Sequence, residues 1–443
     1  MNFDRLRALL FQQAMRGQLV PQFDEEKSVN IMPIVTSDVP HELPRKWVWV
    51  RSDEILEFIR GVTFPASAKR SALSEGIVRC LTTGSVQKRH NLAADVFVPS
   101  TYVKKDRQYL KKNDVVISSA NSKELVGKSI IWKGGEPRVS FGGFLTVARV
   151  KKDEINSIFV YYFFQFLFES RYFANLSTQT TNIANLSNAL LSSVLFPLPP
   201  IEEQERIVAK LEEAFAEIDR AEKAYGELQT LAGVLRGQIL QEAIQGKLVP
   251  QLAEEGVVEQ IGAAPEEVPF EIPEKWKWYY LGSVIEYGKS NQVSGDEITS
   301  QTWVLDLEDI EKNTGRILEK KRGVPSTSNK NKFESGYVLY SKLRPYLNKV
   351  VVADEAGVCT TEIVPINVNG ASVPLDAKYL QTYLMSPFFV NYANQASYGV
   401  KMPRLGTKDA RAALIPIPPL EEQKRIVQKV VELLSQTDSL AGC

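Results

Sequence analysis

Two basic, polar stretches carry the side chains best suited to gripping another molecule. Lys104, Lys105 and Arg107, with Lys111 and Lys112, flank Tyr109, and Ser118-Ser-Ala-Asn121-Ser-Lys123 follows a strand-like run. Far downstream, Ser341-Lys342-Leu-Arg344-Pro-Tyr346 occupies the matching place and leads to Lys349. Two later loops differ freely: one holds Gln179, Thr180 and Asn182, the other Lys401 and Arg404. Arg and Lys can reach guanine O6 and N7 or a phosphate, and Asn and Gln can pair with adenine. These residue types point to recognition of nucleic acid, with a solvated charged loop as the plainer reading of any one of them.

Catalysis has no comparable set. Gly127-Lys128-Ser129 ends like a phosphate-binding loop, but that loop needs a glycine where Ser122 stands. No Asn-Pro-Pro-aromatic or Asp-Pro-Pro-aromatic tetrapeptide, of the kind amino-methyltransferases use to hold a flipped base, is present. The Pro-Pro pairs precede Ile201 and Leu420 and start helices, so Glu202-Glu203 and Glu421-Glu422 read as first-turn acids that favour the helix dipole. His41 and His90 are isolated and are expected in ordinary surface roles. Cys80, Cys359 and Cys443 show no paired spacing, so neither zinc nor a disulfide framework is indicated.

The elements that position the binding residues follow from a repeat. Residues 199–250 begin with two prolines, end near Gly246 and Pro250, and carry a seam from Ile201 through Val208, Leu211, Phe215 and Ile218 to Leu235 and Ile239. That spacing predicts a coiled-coil helix about 70 Å long, with a bend permitted at Gly226, Gly233 and Gly237. Pro197–Lys210 matches Pro416–Lys429 at 10 of 14 positions, at an offset of 219 residues. Leu235–Gln251 matches Leu6–Gln22 at 9 of 17, at an offset of 229. The two chain ends therefore supply a second copy of the central helix, and the repeat is circular.

Between these helices lie two lobes. Val39–Trp49 matches Val268–Trp278, with Pro44 and Pro273 excluding helix and the alternating tryptophans suggesting a strand into each lobe. Val115–Ser118 corresponds to Val338–Ser341, and the aromatic run Phe163–Asn175 to Tyr379–Asn391, read as a buried helix. Each lobe is α+β. The expected division is 1–46 (a helix over 3–16 and an exposed linker over 22–38), 47–195 (first lobe), 196–275 (central helix and linker), 276–415 (second lobe) and 416–443 (C-terminal helix).

Formal net charge is zero, yet unevenly spread. Residues 47–195 hold 20 Lys/Arg against 12 Asp/Glu, residues 276–415 hold 17 against 14, and residues 199–275 hold 7 against 17. Basic lobes on an acidic spacer suit a nucleic-acid reader that must not coat DNA indiscriminately. The most apolar run, Ile158–Phe168, contains Gln165 and is too short to span a bilayer. With no signal peptide in view, a cytoplasmic location without membrane contact is expected.

The motifs Pro-Pro-[Ile/Leu]-Glu-Glu-Gln-[Glu/Lys]-Arg-Ile-Val and Gly-[Lys/Gln]-Leu-Val-Pro-Gln, each present twice, and Ser341-Lys-Leu-Arg-Pro-Tyr-Leu-Asn-Lys349 resemble the specificity subunit of type I restriction-modification systems. The resemblance covers nearly the whole chain. It implies two α+β target-recognition domains held apart by long antiparallel coiled-coil helices, each reading one half of a bipartite site in double-stranded DNA. It implies partners: two methyltransferase subunits docked on the helices, and restriction/translocase subunits recruited to them. The chain itself would be non-catalytic and bind no cofactor, with S-adenosylmethionine, ATP and Mg carried by the partners. A subunit of a methylation-only or related phage-defence complex, or a stand-alone coiled-coil scaffold, is the alternative. In the first lobe Ser118-Ser-Ala-Asn-Ser-Lys replaces the Ser-Lys-Leu-Arg-Pro-Tyr pattern, so the role of Arg344 does not transfer directly.

Overall fold

Pro199 and Pro200 close an extended run, and the helix that follows continues unbroken for 44 residues, Ile201–Ile244. The structure is a computed structural model and describes residues 2–34, 39–136, 138–180, 183–324 and 328–442. The chain forms two compact units, Met1–Lys223 and Ala224–Cys443. Each unit takes one half of the central helix and pairs it with a terminal helix. In the first unit Phe3–Met15 runs antiparallel to it: Arg7 bridges Asp219 and Glu222 at 2.7 Å, and Phe11 stacks edge-on to Phe215 at 5.0 Å. In the second, Leu420–Ala441 does the same, and Arg236 bridges Asp438. Arg236 is Arg7 displaced by 229 residues, and Asp438 is Asp219 displaced by 219. One ion pair, made twice from pieces at the two offsets, is the circular repeat in physical form.

The seam is buried only near the lobes. Ile207, Val208, Leu211, Ile239, Leu240, Ala243 and Ile244 are buried, whereas Leu228, Leu231, Val234 and Leu235 are exposed. A side chain at Gly226 or Gly233 would meet nothing within 4 Å, so these glycines lower helix propensity by about 1 kcal/mol each without serving packing. On the N-terminal helix Phe3, Phe11, Ala14 and Met15 are buried and Leu6 is exposed.

Each lobe begins and ends on one ribbon. Val48–Arg51 pairs antiparallel with Leu195–Leu198, and Lys277–Tyr280 with Leu414–Ile417. Within the first lobe a four-stranded sheet runs in the order Leu56–Arg60, Leu145–Val150, Val115–Ser118, Ser129–Ile131. A three-stranded sheet beside it, Val96–Pro99, Ile77–Leu81 and Ser140–Phe141, includes one parallel pair. The second lobe repeats the frame with Val350–Val352, Val338–Ser341 and Ile363–Ile366, and with a five-stranded sheet whose Trp303–Leu305 and Gly357–Thr360 are again parallel. The aromatic run forms two helices rather than one. In the first lobe Ser157–Glu169 breaks at Ser170 and Arg171, the latter left-handed, before Tyr172–Leu176. In the second, Ser386 divides Ala377–Met385 from Pro387–Ala396, whose first residue is the proline. Phe159, Val160, Phe163, Phe164 and Leu167 bury against the first sheet, as Tyr379, Leu380, Tyr383 and Leu384 do in the second lobe.

The repeated Glu-Glu-Gln-x-Arg motif ties helix to lobe. Gln204 is buried; its Nε2 donates to Glu154 O and Pro199 O, and its Oε1 accepts from Asn156 N at 2.8 Å. Gln423 repeats this with Pro374 O, Pro418 O and Asp376 N. Glu203 is a buried acceptor for the Trp47 indole (2.9 Å), and burial raises its carboxyl above the usual value. Both glutamates are first-turn acids as expected, Glu202 exposed and Glu203 buried. The linkers are likewise fastened. Lys46 Nζ donates to the carbonyls of Phe23, Asp24 and Glu26, and Arg206 pairs with Glu26. Lys275 and Arg425 repeat this at Leu252, Ala253 and Glu255. The first linker is largely exposed over residues 22–34, as expected, yet fastened at these points; residues 35–38 lie outside the described residues. The histidines pack as well: His41 sits edge-on to Trp49, and His90 bonds Asp95 at 3.0 Å beside Trp132.

Candidate nucleic-acid interface

The second lobe gathers its candidates at one sheet edge. After the strand Val338–Ser341 the chain turns outward, and Arg344 adopts a left-handed backbone (φ 49°), uncommon for a non-glycine residue and found where function holds strain. Arg344 N donates to Pro403 O at 2.7 Å, and Leu405 N to Lys342 O at 3.0 Å. This fastens the segment to a hairpin closed by reciprocal bonds between Tyr398 and Arg404. Gly399 (φ 99°) makes the tight turn, which leaves Tyr398 (63 % exposed), Val400, Lys401 and Met402 outside. Tyr346, 51 % exposed, and the guanidinium of Arg344, which has no partner among the described residues, stand on the companion segment. Arg404 is not free. It grips Glu362 through both Nε and Nη2 at 2.8–3.1 Å, which holds the carboxylate below its usual value and raises the guanidinium. Lys342 is half-buried and adds its field to the same carboxylate. Lys349 turns inward: Nζ donates to Leu307 O at 2.6 Å, and burial lowers its ammonium.

The first lobe builds the same edge from other residues. Thr178–Thr180, Ile183–Asn185 and Ala120–Asn121 form a three-stranded sheet. Ala120 pairs with Asn185 as Leu343 bridges Arg404, and Leu186 N donates to Ser119 O as Leu405 N does to Lys342 O. Asn121 therefore stands where the second lobe has Arg344. The offset of 223 residues is the one already visible between Val115–Ser118 and Val338–Ser341. Asn121 is half-buried, its Nδ2 donating to Ser118 Oγ and its Oδ1 accepting from Ser122 N. Ser118 is fully buried and serves the frame. Gln179 and Lys123 are exposed on this edge. Thr180 contributes backbone to its strand, while its side chain and all of Asn182 lie outside the described residues.

The basic run near Tyr109 is a separate feature. Lys104 Nζ donates to Thr101 O, and Arg107 pairs with Glu57 at 2.9 Å; Lys105 is exposed. This turn leans on the strand Leu56–Arg60, where Gln108 Nε2 donates to Arg60 O. Residues that composition did not single out lie close by: Glu362, Tyr398 and, in the first lobe, Phe144. Only the fold reveals them, because each depends on a loop-to-strand pairing across many residues. Among the described residues no cluster of three or more His, Cys, Asp or Glu side chains could hold a metal, and no helix is long and apolar enough to cross a membrane.

Two lobes of one design present different polar side chains at equivalent outward edges. The chain belongs to the family described as the type I restriction modification DNA specificity domain, whose model matches residues 44–228 and 273–441. It is 24 % identical over 418 residues to the type I restriction enzyme EcoKI specificity subunit of Escherichia coli K12, covering 90 % of this chain and 84 % of that one. It is 28 % identical over 267 residues to the EcoDI specificity subunit of Escherichia coli, a match spanning 56 % of this chain and 57 % of that relative. A solved chain from work on complex assembly and conformational transition of the type I R-M system shares the fold, with a TM-score of 0.65 at 18 % identity over 91 % of this chain and 93 % of that one. The HsdS subunit from Thermoanaerobacter tengcongensis does so with a TM-score of 0.52 at 18 % identity and the same coverage.

Proposed function

We propose that this chain is the DNA-reading specificity subunit of a type I restriction-modification complex, non-catalytic in itself, with each lobe reading one half of a bipartite sequence. The observation that carries this is the pair of equivalent edges. One scaffold presents Arg344, Tyr346, Tyr398 and Lys401 in the second lobe, and Asn121, Lys123 and Gln179 in the first. A fixed frame with variable polar contacts is what sequence readout in the major groove requires. The uncovered Leu228, Leu231, Val234 and Leu235 offer the methyltransferase subunits an apolar surface. Restriction/translocase subunits join that core. S-adenosylmethionine, ATP and Mg reside on those partners, and the complex works in the cytoplasm. The test incubates purified chain with DNA and S-adenosylmethionine, with and without methyltransferase subunits. Methyl transfer should need both; transfer by the chain alone would overturn the non-catalytic reading.

Arg344 gives the sharpest single-residue prediction. Its free guanidinium can form a bidentate pair with guanine. Arg344→Ala should weaken binding of the assembled complex to its own sequence by about 1–3 kcal/mol and relax one position of the half-site. Titration of matched and mismatched DNA at several salt concentrations checks this. An equal loss on every sequence, with the salt slope reduced by about one, would make Arg344 a phosphate contact instead.

A further inference from the structure

The reading edge of the first lobe has a neighbour that the second lobe lacks. Phe144 O accepts from Ser119 N at 3.0 Å, Ala120 N at 3.1 Å and Ser119 Oγ at 3.2 Å, which fixes its backbone to the segment carrying Asn121. The preceding turn is tight. A side chain on Gly143 would meet Thr63 Oγ1 at 2.9 Å, and one on Gly61 would strike Gly142 O at 2.2 Å. The ring is nonetheless 61 % exposed. It walls a cavity of about 420 Å³ lined also by Arg60, Thr63, Lys69, Thr82 and Thr83. The side chains of Arg60 and Lys69 have no partner among the described residues.

The second lobe has a carboxylate in the equivalent place. Glu362 O accepts from Lys342 N at 3.0 Å, as Phe144 O does from Ser119 N, but the Glu362 carboxylate is spent on Arg404. The first lobe thus presents an exposed ring on a cavity shared with two unpaired cations, where the second lobe has a paired carboxylate. The apolar group that a base pair displays in the major groove is the thymine C5-methyl, and unpaired Arg and Lys beside a reading edge suit phosphates.

We propose that Phe144 is a base-reading residue of the first lobe, meeting a thymine methyl while Arg60 and Lys69 hold neighbouring phosphates. This rests on the DNA-reading function proposed above. The test uses the complex assembled with its methyltransferase subunits, wild type and F144A, and sequences the methylated motif of each. F144A should lose its preference at one A·T position in the half assigned to the first lobe and keep the second half unchanged. In binding, replacing that thymine by uracil removes only the methyl. It should weaken wild type about fourfold and leave F144A unaffected. The urea midpoint of F144A should match wild type, since the ring is outside the core. An unchanged F144A motif, an equal uracil effect in both proteins, an equal loss on every sequence or a lowered midpoint would each overturn the inference. Absence of any bipartite motif in wild type would instead sink the DNA-reading assignment itself.

Discussion

Four residues inserted between Lys223 and Ala224 should lengthen the unread spacer of the target by one or two base pairs and leave both half-sites unchanged. The insertion point is the boundary between the two compact units, within one continuous helix. The N-terminal helix pairs with the segment before it, through Arg7 and Asp219, and the C-terminal helix with the segment after it, through Arg236 and Asp438. Each pairing survives an insertion between them. Four helical residues add about 6 Å and roughly 400° of rotation, a net phase change of about 40°. DNA rises about 3.4 Å per base pair, which converts 6 Å to one or two pairs. Two residues instead add about 3 Å and roughly 200°, turning one lobe nearly to the opposite side of the helix axis. That variant should lose methylation. The methylated motif of each variant is the readout, and an unaltered spacer in an active four-residue variant would show that the helix is not the ruler.

Replacing Gln423 by Leu should destabilise the second unit by about 2–3 kcal/mol, a large effect for one side chain of unchanged volume. The substitution keeps the volume but leaves Asp376 N, Pro374 O and Pro418 O without the partner that Gln423 supplies. An unsatisfied buried group costs about 1–3 kcal/mol. Asp376 also caps the following helix through Lys378 N and Tyr379 N, so loosening it frays that helix. Gln204→Leu should act equally on the first unit. Urea denaturation followed by tryptophan fluorescence measures both, and a loss below about 1 kcal/mol would mean that the motif does not hold helix to lobe.

These two glutamines show what sequence alone conveys and what it does not. The repeat of Glu-Glu-Gln-x-Arg was visible, and with it the two-lobed α+β plan and the circular order of the helices. Its purpose was not, because Gln204 bonds to Glu154 and Asn156, and Glu203 to Trp47, across separations that no local pattern encodes. The exposed reading edge divides the same way. Arg344, Tyr346 and Lys401 could be picked by residue type, since such side chains can bond bases or phosphates. Lys349 and Ser118 look no different in sequence and face inward: Lys349 reaches Leu307 O, 42 residues away, and Ser118 ends a strand buried along its whole length. Arg404 reads as a free cation until Glu362, 42 residues away, is placed beside it.

The central claim, that each lobe independently reads half of one target, is tested most directly by exchanging a lobe. Residues 47–195 would be replaced by the corresponding lobe of a family member with a different target, and the motif methylated by the assembled complex sequenced. The incoming and outgoing strands Val48–Arg51 and Leu195–Leu198 pair with each other, so the graft carries its own base. The account predicts that one half of the motif changes to that of the donor, while the other half and the spacer length persist. A motif altered in both halves, or in neither, would contradict it.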